Sequence, residues 1–193
     1  MSTLVFRGDY LLALLTLSSI STSPAALASD NGFTAFAWGD SINNVSQKNN
    51  AFKPSAIQLG GQSKMFNGTP KKTEWGFLGE QASTPYSYSF FQGGLFDITF
   101  TAKVYRSNDL ATVSQAKADY ATLKDQIAQR LGRVENVAES FDPKKPFFSC
   151  IYDDNCGSYG VSFINVDTRT VLFLTGSEDG TGSELILTVK QKK

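Results

Sequence analysis

The sequence predicts an α+β domain: antiparallel sheet with one long amphipathic helix and one short N-terminal helix packed on a face. Three observations carry this. Apolar residues alternate along 86–104 about a Gly93-Gly94 turn. Between 109 and 131 they recur instead at three- and four-residue steps, and short apolar runs separated by turn residues follow to the C-terminus. Aromatic residues reach 12% of the chain, with 15 Phe and 7 Tyr, a composition that suits strands.

Residues 1–28 read as a cleavable secretory signal. Arg7 supplies a positive start, set against Asp9, and 11–17 form a short apolar run. Residues 18–24 break the run, and Ala26-Leu27-Ala28 offers the small-x-small pattern a signal peptidase accepts, so cleavage is expected after Ala28. A buried N-terminal helix is the competing reading; the brevity of the run and the spacing to the alanines favour the signal. The run falls well short of the ~20 apolar residues that span a bilayer, so no transmembrane segment is expected. No cysteine lies near the cleavage point to carry a lipid anchor. Residues 29–193 are then expected to form a single domain in the periplasm or the surrounding medium.

In that domain Phe33 and Phe36 are candidate anchors, and Asp40 or Ser41 is placed to cap a short helix that turns Ile42 and Val45 inward. The helix must end before Pro54. Residues 56–59 suit a strand, Asn67-Gly68 is a hairpin-turn signal, and 75–78 suit another short strand. Tyr86, Tyr88 and Phe90, then Phe96, Ile98, Phe100, Ala102 and Val104, make a hairpin with one buried face. Val113, Ala116, Tyr120, Leu123, Ile127 and Leu131 lie on one face of the long helix, opposite Lys117, Lys124, Asp125 and Arg130. Asn108 or Asp109 can cap its start and Gly132 its end. Strands are expected over 147–152, 159–166, 170–174 and 185–189, with turns at 167–169 and 177–182. A helix followed by a meander thus occurs twice, but no residue pattern recurs to mark a repeat.

The two cysteines, Cys150 and Cys156, close one short acidic stretch. An even count in an exported chain reads as a structural disulfide. The spacing is longer than the redox Cys-x-x-Cys, and Asp153 and Asp154 would raise a thiol pKa rather than activate it. The loop is worth about 2 kcal/mol of chain entropy.

The chain contains no histidine, which removes Ser-His-Asp and Cys-His catalysis and every His-ligated metal site. Formal net charge is zero, with 18 basic and 18 acidic residues, so no overall field steers the protein to nucleic acid. The acidic turns lack calcium-loop spacing. Ser114-x-x-Lys117 lacks the companion motifs of penicillin-binding enzymes and reads as solvated helix surface. No catalytic residue, metal or cofactor is therefore assigned.

Trp38-Gly39-Asp40-Ser41…Val45 resembles the Trp-Gly-x-Ser-x-x-x-Val opening of small exported bacterial envelope domains of unknown function. Tyr120-Ala-Thr-Leu123…Leu131-Gly132 resembles the later Tyr-x-x-Leu…Leu-Gly helix of the same domains, although Arg133-Val134 stands where they continue to proline. The resemblance covers about a third of the chain and implies an envelope accessory role.

The leading expectation is a non-enzymatic exported binding module engaging a protein partner, of inhibitor, immunity or envelope accessory type. Its candidate contact residues are Asp153, Asp154 and Asn155 in the disulfide loop and Glu178 and Asp179 in the following acidic loop. The alternatives are a carboxylate-dependent hydrolase of cell-wall or sugar polymers, using a pair such as Glu74 with Asp97, and an apolar-ligand carrier built on the Tyr86/Tyr88 and Phe96/Phe100 stripes.

Overall fold

A computed structural model describes residues 37–48, 57–59, 62–66, 86–131 and 133–192. Helix α1 (Ile42–Lys48) precedes β1 (Ile57–Leu59), β2 (Gln62–Phe66), β3 (Tyr86–Phe91) and β4 (Gly94–Tyr105). Helix α2 (Leu110–Leu131) leads to β5 (Val134–Phe141), α3 (Phe147–Tyr152), β6 (Gly157–Ile164), β7 (Thr168–Gly176) and β8 (Ser183–Gln191). The eight strands form one antiparallel sheet in the order β1-β2-β3-β4-β8-β7-β6-β5. The first meander runs inward from one edge, α2 carries the chain to the other edge, and the second meander runs inward until β8 pairs with β4. The same plan, helix plus four-strand meander, is therefore laid down twice about the centre of the sheet.

The β3–β4 hairpin turns on Gln92 and Gly93, both with positive φ (52° and 83°). This is the type I′ geometry whose twist matches its strands, and glycine takes the second position without strain. Two register shifts alter the expected alternation, one between Ser89 and Phe90 and one between Thr101 and Lys103. Leu95 and Tyr105 are consequently buried in place of the expected Phe96 and Val104, while Tyr88, Phe90, Ile98, Phe100 and Ala102 are buried as expected. A bulge inserts one residue and reverses the phase beyond it.

Helix α2 lies over β6 and β7. Ala116, Tyr120, Leu123 and Ile127 are buried, with Val113 and Leu131 half-buried beside them. Asp109 caps it: the Thr112 N–H donates to Oδ1 at 2.7 Å. The opposing sheet face supplies Val161, Phe163, Leu172, Leu174, Leu185, Leu187 and Val189, all buried.

Lys117 departs from the expected solvated surface. Its ammonium sits 4.2 Å from the ring centre of Phe141, 4.1 Å from that of Phe147 and 5.9 Å from that of Tyr159. The ammonium lies over these rings, where their π density attracts a cation, and the rings themselves meet edge to face. Burial lowers the Lys117 pKa.

The Trp38-Gly39-Asp40-Ser41 motif is a structural clamp. The Trp38 indole N–H donates to Thr168 Oγ1 at 3.1 Å, joining positions 130 residues apart. Gly39, at φ 84°, donates its N–H to the Leu95 carbonyl, and the Leu95 N–H donates to the Asp40 carbonyl. Ser41 is the α1 cap, accepting from the Asn44 N–H at 3.2 Å.

Two further expectations are corrected. Residues 147–152 form helix α3 rather than a strand, and the β5 strand was not anticipated. Phe147, Phe148, Cys150 and Ile151 are the buried positions of α3, a helical spacing hidden within aromatic and β-branched composition. β5 is an edge strand whose residues are mostly exposed, so it lacks an alternating signal. Phe33 and Phe36, Asn67-Gly68, 75–78 and Gly132 lie outside the described residues.

Candidate functional site

Helix α3 organises one end of the molecule. Pro146 precedes it, and the Cys150–Cys156 disulfide ties its C-terminal end to the start of β6. Asp153 closes the loop between them: its carbonyl accepts from the N–H groups of Cys156 and Gly157, and its carboxylate accepts from the Asn155 N–H at 3.0 Å. The hairpin loop 177–182 packs against the same helix. Gly176 lies against the Phe148 carbonyl and Gly180 against Ser149, so closely that a methyl group at either would collide. The two loops singled out from sequence therefore both adjoin α3 at one tip.

The flagged residues divide by role. Asp179 shapes its loop, accepting from the Ser177 hydroxyl at 2.6 Å and the Thr181 N–H at 3.0 Å. These bonds, the Ser177 hydroxyl first, hold its pKa down to about 2. Asp153 and Asn155 are likewise occupied within their turn. Asp154 and Glu178 are exposed and make no hydrogen bond or ion pair among the described residues, leaving both carboxylates turned to solvent at the tip.

Two clefts flank this tip. One, of about 430 Å³, runs along the helix-free face of the second meander. Its floor holds Ala138, Gly160, Val171 and Phe173; Tyr152 and Asp154 stand at the tip end, and Asn136, Ser162 and Arg169 at the far end. Gly160 faces Phe173 across the β6–β7 pair, and a Cβ there would press on the Phe173 Cβ at 3.0 Å. The far end is set by Glu135, whose Oε2 accepts from Ser162 Oγ at 3.0 Å and pairs with Arg169 Nε at 3.0 Å. The other cleft, of about 460 Å³, lies at the base of the acidic hairpin loop, between Arg106, Thr175, Asp179 and Glu184.

Tyr152, Arg169, Phe173 and Asn136 were not flagged from the sequence. The signal for Phe173 was the unbroken apolar run 171–174, which marks a strand with apolar side chains on both faces. Asp97, a candidate hydrolytic carboxylate, is buried beside Lys190, whose Nζ lies 3.4 Å away; Glu74 lies outside the described residues. Tyr88 and Phe100 of the aromatic stripes are core residues. No group of three His, Cys, Asp or Glu among the described residues is placed to hold a metal ion. No described helix is long and apolar enough to cross a membrane.

Comparisons with family models, with curated proteins and with solved structures find no match to this chain.

Proposed function

We propose that the protein is an exported binding module that engages a protein partner through the α3 tip. The observation that carries this reading is the convergence of both acidic loops on a disulfide-tied helix, beside a cleft with an apolar floor. Such a surface combines what recognition needs. The disulfide and the turn hydrogen bonds fix the loops in advance, reducing the ordering cost of association. Val171 and Phe173 offer apolar area, and half-exposed Tyr152 offers an aromatic anchor at its end. Asp154 and Glu178 favour a partner with a basic contact patch. Export rests on the signal at 1–28 and accords with the disulfide.

The test places a photo-crosslinking residue at 154, 178 or 166 in the source cell, with Val166 as the far-end control at 81% exposure. One shared adduct from 154 and 178, absent from 166, is the expected result. Adducts from 166 alone, or none from the tip, would overturn the assignment. Intact mass of the same preparations checks export; a mature chain beginning at Ser29 is expected.

A further inference from the structure

We propose that β5 is the receiving edge for an extended strand of the partner, so that binding continues the sheet beside the cleft. The inference rests on the binding-module reading and names what the partner must present. Among the described residues β5 is the outermost strand, eight residues long and paired with β6 alone, whereas β1 at the other edge has three residues. An edge strand points alternate backbone N–H and C=O groups away from its neighbour, and only another extended backbone matches that row.

Natural edges are guarded by brevity, proline, lysine, outward charge or a bulge; the bulge of β5, between Val134 and Asn136, lies at its N-terminal end and leaves 136–141 in regular register with β6. β5 contains neither Pro nor Lys. Its two charges are drawn back onto the protein. Glu135 turns to Ser162 and Arg169 on the helix-free face. Glu139 turns to α2, accepting from the Tyr120 hydroxyl at 2.9 Å and pairing with Lys124. Between them Asn136, Val137 and Ala138 leave a neutral stretch. Val137 is 47% exposed on the helix side, and Ala138 belongs to the cleft floor on the other. An added strand gains backbone hydrogen bonds, apolar contact with Val137, and access for alternate side chains to the cleft floor. Its centre is therefore apolar, and it carries no acidic residue opposite Glu135 or Glu139, where like charges would repel.

The probe is a displayed library of linear random peptides, panned on the protein as isolated from its source cell. Enriched apolar-centred peptides are expected to slow hydrogen exchange of the β5 amides. They should lose at least tenfold in affinity when alternate backbone nitrogens are methylated. Val137→Lys should weaken them at least tenfold without changing thermal unfolding. Three results would overturn the proposal: no enriched peptide, binding that leaves β5 exchange unchanged, or a dimer that Val137→Lys dissociates, since a second copy would then own the edge. Peptides that bind without touching β5 leave the tip reading standing, and the crosslinking test judges that reading separately.

Discussion

In the first half of the chain a seven-residue helix precedes its meander; in the second, a 22-residue helix does. Both helices start on a side-chain cap and both contribute to the core, Val45 from α1 and Leu123 from α2, each fully buried. The halves part company in what is added. Between β5 and β6 the chain inserts α3 and its disulfide, and one cleft ends against that insertion at Tyr152 and Asp154. The first half contributes instead the Trp38 clamp, which fastens the start of the described fold to the start of β7. A plan used twice thus yields a structural half and a half with an exposed, preformed surface.

Substitutions can break this comparison, starting with the largest effect. Leu123→Ala removes a buried side chain from the long helix and should cost about 2–5 kcal/mol in urea unfolding. Val45→Ala deletes fewer atoms from the short helix and should cost about half as much. Equal losses would mean that the short helix anchors its half as firmly as the long one.

Replacing Cys150 and Cys156 together by Ser should cost about 2 kcal/mol. Limited proteolysis should then cut first around 147–157, with the core intact. Thr168→Val should cost about 1–3 kcal/mol, because it strands the buried Trp38 indole N–H. That loss should appear in tryptophan fluorescence and leave the α3 tip unchanged.

The smallest effect separates the two helix caps by pH. Ser41 caps α1 with a hydroxyl that does not titrate, whereas Asp109 caps α2 with a carboxylate whose pKa is lowered, first by the Ser107 hydroxyl and then by Thr112. A lowered folded pKa gives stability that is present above the unfolded aspartate value, near ~3.9, and lost as pH falls through the folded value. Asp109→Asn should therefore flatten part of the acid limb below about pH 4, and Ser41→Ala should leave its shape unchanged. Asp179, held down to about 2, should stay ionised below the ordinary aspartate range in a carboxyl NMR series.

Much of the fold was legible because its signals are local. The α2 face and the Ser41 cap each depend on a few neighbouring residues and stand where the sequence placed them, while the equally local β3–β4 turn falls one residue before the expected Gly93-Gly94, on Gln92 and Gly93. The disulfide followed from the cysteine count together with the expected export. What escaped depends on distant partners. The β4 phase is set by bulges against β3 and β8, β5 is specified by pairing with β6, and Lys117 takes its environment from rings on β5, α3 and β6. At the tip, the loops could be picked as turns, but their meeting depends on Gly176 and Gly180 packing onto a helix whose composition reads as a strand.

The most direct test of the central claim is a quantitative pull-down from an envelope extract, with the folded, oxidised protein as bait. Reduced and unfolded bait is the first control, and Asp154→Lys with Glu178→Lys is the second. A single partner held by the folded bait, retained by Val45→Ala and lost from both controls, is the predicted result. A partner captured equally by the tip-reversed bait, or no partner specific to the folded protein, would contradict the assignment of the α3 tip as the contact surface.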